Sequence, residues 1–237
     1  MLLAETADAA TGGLDFLWQQ RGPFFSGLLG TVKLSVIAGI LATIIGLVVA
    51  AMRVSPVPAL RVAGTAWSGF FRNTPLTLVF LATSVVLPLV GIRFAWADAI
   101  GVNTFFIFAV IALSTYTSCF VADAIRSGFN AVPVGQAEAA RAVGMTFGQT
   151  LRLVVLPQAL RSVLPPLASM YIAMIKNSAI AEFFNVGELT KFFDDQVRDH
   201  PEHLYAEFIA VAVGYIVLTL LVSGLFNLAE RRLAVTR

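Results

Sequence analysis

The sequence predicts an all-α integral membrane protein with about five membrane-spanning helices. Apolar residues make up 58% of its 237 residues and charged residues only 13%, and the mean hydropathy is +0.83. A soluble domain carries roughly 25% charged residues, so this chain has too few to cover a water-exposed surface. The composition therefore argues against a soluble enzyme, a disordered chain and a nucleic-acid-binding protein, although the net charge is +2.

Apolar runs of about 20 residues, the length needed to cross a bilayer, define the predicted spans. They are 28–52, 75–92, 104–124, 163–184 and 208–228. The fourth span is the weakest because two prolines and Lys176 interrupt it. The segment 59–71 is predicted as an amphipathic helix at the inner interface, which leaves the second span short or tilted. Pro75 suits the first turn of that span because proline lacks a backbone N–H.

Charge asymmetry between the loops predicts the orientation. Five spans put the termini on opposite sides, and lysine and arginine accumulate in cytoplasmic loops. An outside N-terminus places most arginines inside, namely Arg53, Arg61, Arg126, Arg141, Arg152, Arg161, Arg231, Arg232 and Arg237. It also places most of the acidic residues outside, including Glu188, Asp194, Asp195, Asp199 and Glu202. The predicted topology is therefore N-out and C-in.

This topology predicts a single membrane domain between two tails. Residues 1–26 are an external N-terminal tail, 27–230 are the membrane domain, and 231–237 are a cytoplasmic C-terminal tail. The largest loops are an inner one and an outer one, 126–161 and 185–205. The tail carries Glu5, Asp8 and Asp15 without an early basic residue, which is unlike a secretory signal. The first span is therefore expected to stay in the mature protein.

The inner loop carries the most specific pattern. Residues 136–143 are alanine-rich and favour a helix, and Gly144 is a natural left-handed stop. A second short helix is predicted over 147–155, and Pro157 is expected to limit its continuation. From these residues alone, the unit either docks into a groove on another protein or lies flat on the membrane.

The spacing in this loop resembles the EAA loop of ABC-importer permeases. That pattern is Glu-Ala-Ala, three residues, Gly, nine residues, an aliphatic residue, one residue, Leu-Pro. The matching residues are Glu138, Ala139, Ala140, Gly144, Val154, Leu156 and Pro157, with valine where isoleucine is frequent.

Other segments resemble the polar-amino-acid permeases of that family, most of all those for glutamate uptake. The sequence FRNTPL at 71–76 is similar to their FRGTPL, with Asn73 in place of glycine. Residues 121–128 resemble AEIxRGG, with Asp123 for glutamate and Ser127 for glycine. Residues 176–178 resemble the K-D/N-T/S element of this family, and residues 186–189 resemble its GxxEL tail. The C-terminal segment 230–235 is also similar.

The resemblance implies the type I ABC-importer permease architecture in a bacterial plasma (inner) membrane. Two permeases, identical or related, surround a central path above two ATPase subunits, and an external solute-binding protein delivers the amino acid. The implied ATPase-coupling residues are Glu138, Ala139, Ala140, Arg141, Gly144, Leu156 and Pro157. Glu138 is expected to make an electrostatic or capping contact, and Gly144 to form the bend.

No cofactor, metal or catalytic group is expected on this chain. It lacks the G-x-x-x-x-G-K-[ST] phosphate loop, so ATP and Mg are expected to be used by the partner ATPase. His200 and His203 with Glu202 form its only histidine cluster, in a loop where exposure to solvent is favoured over metal binding. The single cysteine, Cys119, excludes an internal disulfide and is predicted to be a small buried apolar residue.

Lys176 is the main candidate for the translocation path. Charge within a membrane span faces a cavity or a partner in most cases, and the alternative is a side chain that reaches to the interface. Its candidate counter-charges are Glu182 and Asp123, and the alternative for Asp123, near the inner end of the third span, is a position at the lipid headgroups. Lys176 or Arg72 is the candidate partner for the carboxylates of glutamate. The full set of path candidates is Arg72, Asn73, Thr74, Asp123, Lys176, Asn177 and Ser178.

Two further features have both a specific and a general interpretation. Small residues recur every four positions in the first span, at Ala38, Ala42, Gly46 and Ala50. The specific interpretation is a close helix-packing face, and the general one is that small residues are common in membrane helices. The acidic outer segment 188–202 is either a docking surface for the binding protein or a solvated loop.

Three other classes compete with the importer permease. An ion-coupled secondary transporter is expected to show inverted repeats, and none is apparent. A non-transporting membrane assembly subunit does not account for Lys176 or the coupling motif. A membrane enzyme lacks a catalytic constellation.

Overall fold

The computed structural model describes residues 13–99 and 101–233, which are helical apart from short connections. The predictions for Glu5, Asp8, Arg237 and the ends of both tails concern residues outside this range. The helices in chain order are α1 (13–19), α2 (Arg21–Val54), α3 (Pro58–Asn73), α4 (Leu76–Leu89), α5 (Ala95–Ala99), α6 (Thr104–Asn130), α7 (Val134–Ala142), α8 (Phe147–Phe184), α9 (Leu189–Asp199) and α10 (Leu204–Leu233).

The predicted class of helical membrane protein is confirmed. Within the described residues, four helical segments are long and apolar enough to cross a membrane, and α3 with α4 makes a fifth if that bent pair is one span. The four are α2, α6, α8 and the segment Pro201–Arg232. Helix α8, which corresponds to the predicted fourth span, begins at Phe147 rather than at 163, so the predicted inner loop is shorter in the structure.

The second span is a broken one. Helices α3 and α4 meet at an angle of 106° around Thr74 and Pro75. Thr74 has extended backbone, with φ −97° and ψ 130°, because a residue that precedes proline avoids the helical region. Helix α4 has only 14 residues, about 21 Å at 1.5 Å per residue, which is less than the apolar thickness of a bilayer. The predicted amphipathic helix and short second span are therefore both present.

Two π-helical turns precede Leu-Pro dipeptides within the membrane helices. They are Ala82–Val86 in α4 and Thr150–Val155 in α8. In each, the leucine N–H donates to the carbonyl five residues earlier rather than four. Proline would remove one hydrogen bond of an α-helix and clash with the carbonyl of the preceding turn. The wider turn is one of the adjustments that accommodate such a break.

The expectation that Pro157 limits the helix is therefore wrong. The helix continues from Phe147 through Pro157 to Phe184 because the π turn accommodates the proline. Gln158 adds a local bond, its Nε2 donating to the Val154 carbonyl at 2.9 Å.

Contacts divide the chain into two compact units. The first contains residues up to Ala38, Leu76–Leu113 and Ile175–Leu220. Its apolar core joins α9 to the start of α2 and to α10. That core consists of buried Leu189, Phe192 and Val211, with Phe24, Leu28, Phe193 and Tyr215 packed against them.

The second unit contains Gly39–Pro75, Ser114–Met174 and the chain from Leu221 onward. Its core joins the end of α2 to α6 and α3 through Val49, Ala50, Ala122, Ile45, Trp67 and Ile125. Gly46 lies so close to α6 that an added Cβ would approach Val121 Cγ1 within 2.6 Å. The predicted small residues Ala42, Gly46 and Ala50 are all buried in this unit, and Ala38 is buried in the first. Cys119 is also buried, as predicted.

Candidate functional site

Helix α7 carries the Glu-Ala-Ala sequence and ends in a left-handed turn. Gly144 has φ +88°, which confirms its prediction as the helix stop. The Met145 N–H donates to the Ala140 carbonyl at 3.1 Å, and the Gly144 N–H donates to the Arg141 carbonyl at 3.0 Å. This is the Schellman pattern, which satisfies the last carbonyls of a helix and requires a positive φ.

The next helix begins immediately with a capping box. The Gln149 N–H donates to Thr146 Oγ1 at 3.3 Å, and the Thr146 N–H donates to Gln149 Oε1 at 2.8 Å. The T-x-x-Q signal was visible in the sequence but was not used in the prediction. Two consecutive caps therefore define the turn between α7 and α8.

Helix α7 packs back on the π turn at the start of α8. Ala140 is buried in this contact, whereas Glu138, Ala139 and Arg141 are exposed. Leu156 and Pro157, directly after the π turn, are half-buried. The apolar side chains Val134, Val143 and Phe147 are each more than 70% exposed. Residues 134–157, named the coupling segment after their predicted role, thus form one packed unit with an apolar and charged outer surface.

A capping role for Glu138 within α7 is not observed. The helix begins after Pro133, which makes no side-chain cap, and Glu138 lies one turn further along. Glu138 makes no hydrogen bond or ion pair with any residue in the described ranges. Its electrostatic role toward another subunit stays a prediction.

Asp123 binds two arginines, one in the last turn of α2 and one in the last turn of α3. Its carboxylate pairs with Arg53 through Oδ1 and with Arg72 through Oδ2, the second at 3.2 Å. Arg53 also donates to Ser68 Oγ at 3.3 Å. Both carboxylate oxygens of Asp123 thus contact arginines, and its assignment as a counter-charge of Lys176 stays a prediction.

The two arginines are expected to contribute unequally to stability. The Arg53 side chain is 10% exposed and that of Arg72 is 51% exposed. We expect Arg53→Gln to lower stability by about 2 kcal/mol, because it breaks a largely desolvated pair. Arg72→Gln is expected to cost less than about 1 kcal/mol. Thermal unfolding of the two purified variants measures the difference, and equal losses would contradict it.

Asn73 and Thr74 close the end of α3 with local hydrogen bonds, and their place on the translocation path stays a prediction. Asn73 Nδ2 donates to the Gly69 carbonyl at 2.8 Å, and Thr74 Oγ1 donates to the Phe70 carbonyl at 2.8 Å. Both side chains satisfy carbonyls in the last turn of the helix. Their local role is therefore to hold the bend before Pro75.

Lys176 lies where α8 changes from α-helix to 3₁₀-helix. The α-helical part ends at Asn177, and the 3₁₀ segment is Ser178–Phe184. Lys176 is exposed and Asn177 is half-buried, whereas Ser178 is buried and donates to the Ile175 carbonyl at 2.7 Å. No ion pair joins Lys176 to Glu182 or to another carboxylate in the described part of the chain. Within the first unit, the predicted counter-charge Glu182 is thus not paired with it.

Glu188 is the buried polar centre of the first unit. Its side chain is 1% exposed and joins three helices at the start of α9. Oε2 accepts from Tyr215 Oη at 2.7 Å and from Thr31 Oγ1 at 3.3 Å, and Oε1 accepts from the Lys191 N–H at 2.8 Å. Burial raises the pKa of the Glu188 carboxyl, and these hydrogen bonds partly oppose that increase.

The acidic outer segment is largely paired within itself. Lys191 contacts Asp194 and Asp195, and Arg198 contacts Asp194 at 2.9 Å. Glu188 does not belong to its surface. The segment is a helix, α9, and not a uniformly acidic solvated loop, because its own cations lie one turn from its acids.

The histidines beside this helix lie against an aromatic ring. Phe16 stacks on His203 with ring centroids 4.2 Å apart and meets His200 edge-on at 5.0 Å. Within the described residues, no group of three or more His, Cys, Asp or Glu side chains is arranged to hold a metal ion.

Comparisons with known proteins agree on one family. The chain matches the family described as binding-protein-dependent transport system inner membrane component over residues 42–235. It is 41% identical over 220 residues to the glutamate transport system permease protein GluC of Corynebacterium glutamicum, covering 91% of this chain and 96% of that one. It is 34% identical over 220 residues to the probable glutamine ABC transporter permease protein GlnM of Bacillus subtilis, covering 93% and 97%.

A solved structure shares the fold at similar coverage. The crystal structure of an amino acid ABC transporter with histidines aligns with a TM-score of 0.76 and 32% identity, over 91% of this chain and 96% of that one. The overall fold is therefore shared with a solved chain over nearly its whole length.

Proposed function

The chain belongs to the family of binding-protein-dependent transport system inner membrane components, and on that premise we propose the division of labour and the cargo described below. It is a permease subunit of an ABC importer and has the type I importer permease fold, as the sequence resemblance predicted. It is a multi-pass inner-membrane protein, and neither the secondary transporter nor the assembly subunit gains support. Its role is translocation rather than catalysis.

We propose that α7 and the start of α8 transmit ATPase motion to the membrane helices. The observation that carries this proposal is the continuity of the coupling segment with the long helix that holds Lys176. Helix α7 packs on the π turn of α8, and both caps between them are satisfied, so the two move as one body. The exposed residues Glu138, Arg141 and Phe147 are then available to a cleft on the ATPase.

The proposed assembly contains a second permease, identical or related, two ATP-binding cassette subunits and an external solute-binding protein. ATP and Mg are used by the cassettes. ATP binding moves the coupling segments, the spans next to them rock, and the path changes between inward-open and outward-open. The binding protein releases its amino acid to the outward-open state, and hydrolysis resets the cycle.

The proposed cargo is a polar amino acid, with glutamate as the leading candidate. The 41% identity to a glutamate permease supports this choice, although a relative at 34% is named for glutamine. Lys176 is the candidate contact for a cargo carboxylate because it is exposed and without a counter-charge in the described residues. Arg72 is the weaker candidate, since Asp123 already binds it.

Uptake of labelled glutamate into proteoliposomes tests the proposal. The liposomes hold this chain with its partner permease, ATPase and binding protein, with and without ATP. We expect ATP-dependent glutamate uptake that aspartate and glutamine compete with only weakly. ATP-dependent uptake of another amino acid would overturn the cargo and keep the importer role, and uptake without ATP dependence would favour an ion-coupled transporter.

Removal of the Lys176 charge is expected to weaken glutamate transport. We expect Lys176→Met to lower uptake by about tenfold to a hundredfold, the loss expected when one charge-assisted hydrogen bond worth about 1.5–3 kcal/mol is removed. Lys33→Met is the matched control, because Lys33 is also an exposed lysine within a long apolar helix. Uptake assays on both variants measure the effect, and an equal loss in the control would contradict a specific role for Lys176.

A further inference from the structure

An arginine-lined cavity lies in the second unit, near the end of α2. Its volume is about 550 Å³, and it lies among residues of α2, α3 and α6. The lining residues are Arg53, Arg61, Val62, Thr65, Ala66 and Arg126. None of them belongs to the coupling segment or to the set of path candidates. The cavity is therefore a separate feature of the predicted cytoplasmic side.

The cavity wall carries a large excess of positive charge. Asp123 neutralises part of the charge of Arg53 and Arg72, and Arg61 donates only to the carbonyls of Ser55 and Pro56. The Arg126 side chain makes no hydrogen bond or ion pair with any described residue. The three lining arginines together with Asp123 carry a net charge of +2.

One arginine of the cavity is buried with an unused donor. The Arg53 side chain is nine-tenths buried, and its Nε has no hydrogen-bond partner among the described residues. Because this Nε has almost no exposed surface, the guanidinium groups that a ligand can reach most readily are those of the exposed lining residues Arg61 and Arg126. Guanidinium groups bind phosphate oxygens with matched, charge-assisted hydrogen bonds. The chemistry of the wall thus selects a phosphate group.

The surroundings of the cavity are apolar. Near it, Val54, Leu60, Val62 and Phe70 expose 70%, 42%, 69% and 64% of their surface. Basic and apolar side chains on one short amphipathic helix are typical of a helix in the membrane interface. The cytoplasmic leaflet is the one that carries anionic lipids and attracts such basic segments. A water-soluble phosphate ligand would make no use of these exposed side chains.

We propose that this cavity binds the phosphate group of an anionic phospholipid, whose acyl chains lie along the exposed apolar residues of α3. Arg53, Arg61 and Arg126 hold the phosphate, and the remaining volume accommodates the headgroup. A bound lipid would fasten α3 to the ends of α2 and α6. The proposal concerns a lipid site and does not depend on which amino acid is transported.

Native mass spectrometry of the complete transporter complex tests this site. The complex is titrated with phosphatidylglycerol and, separately, with phosphatidylcholine. We expect preferential binding of phosphatidylglycerol and about a tenfold loss of its apparent affinity in Arg61→Gln/Arg126→Gln, because two charge-assisted contacts are removed. The control variant Arg231→Gln/Arg232→Gln removes two exposed arginines from the same predicted side, outside the cavity, and is expected to change affinity less than twofold.

A second variant distinguishes loss of lipid binding from a folding defect. Arg126→Gln alone breaks no contact within the described chain, and it is expected to weaken phosphatidylglycerol binding several-fold with an intact complex. Equal binding of the two lipids, or equal losses in cavity and control variants, would overturn the proposal. Displacement of the lipid by excess inorganic phosphate would also overturn it, because a free phosphate would then be the ligand.

Discussion

Replacing Gly144 by valine is expected to lower ATP-dependent uptake and binding-protein-stimulated ATPase activity about tenfold, while membrane insertion stays intact. The Gly144 φ of +88° costs an L-residue about 1–2 kcal/mol, and a β-branched residue more. A penalty near 1.4 kcal/mol shifts a two-state equilibrium tenfold. Since the Schellman hydrogen bonds depend on this conformation, the variant should populate states in which α7 is not held against α8.

The Gly144→Asn variant separates backbone conformation from side-chain bulk. Asparagine tolerates the left-handed region, and no atom lies within 4 Å of a Cβ added at Gly144. We therefore expect Gly144→Asn to retain most of the uptake. Uptake and ATPase assays on the two variants, with protease mapping of insertion, make the comparison. Full activity in Gly144→Val would contradict a role of this turn in transport. An equal loss in both variants would mean that side-chain size at the ATPase contact, and not backbone conformation, causes the loss.

Local chemistry in the sequence predicted most of the coupling segment. The alanine content, the glycine at the helix stop and the motif spacing all act on residues that are neighbours in sequence. The local structure that they predict is therefore the one found in the folded chain. The short second span was also predictable because Pro75 restricts Thr74 locally. By contrast, the interpretation of Pro157 as a helix limit failed. It considered proline alone and not the π turn that precedes it.

The pairing of charges was not predictable because it depends on contacts distant in sequence. Asp123 lies 70 residues from Arg53 and 51 from Arg72, and no local spacing signals either pair. The buried position of Glu188 depends on Thr31 and Tyr215, which are 157 and 27 residues away. The sequence pattern placed Glu188 in an acidic outer loop, because the hydropathy of a segment depends only on its own residues. It contains no information on burial of Glu188 against the distant helices α2 and α10.

Replacing Glu188 by alanine is expected to release α9 from the helices that hold it. Three buried donors lose their acceptor: Tyr215 Oη, Thr31 Oγ1 and the Lys191 N–H. Thr31 Oγ1 keeps the Gly27 carbonyl and Tyr215 Oη keeps Thr190 Oγ1 as partners, which leaves the Lys191 N–H unsatisfied. One unsatisfied buried donor costs about 1–3 kcal/mol and the truncated side chain leaves a cavity, so we expect a total loss of about 3 kcal/mol. For a chain of this size it corresponds to an apparent Tm about 8 °C lower. Thermal unfolding of the purified complex measures this loss.

Hydrogen exchange should place the defect at α9. We expect faster amide exchange in Leu189–Asp199 of the Glu188→Ala variant and unchanged exchange in Val134–Ala142, because Glu188 contacts only the first unit. Glu188→Gln keeps the shape and one acceptor oxygen, so it should lose less than half as much stability. A Tm equal to that of the unchanged protein in Glu188→Ala would show that the buried hydrogen bonds contribute no net stability.

The same carboxyl predicts a pH dependence with a definite sign. Burial raises the Glu188 pKa in the folded state, so the folded protein binds this proton more readily than the unfolded chain. Stability from this group is then greatest below the ordinary glutamate pKa of about 4.3 and falls as pH rises toward the raised value. Because glutamine does not titrate, the difference in Tm between the unchanged protein and Glu188→Gln should change across that window. A difference that stays constant with pH would mean that Glu188 has its ordinary pKa.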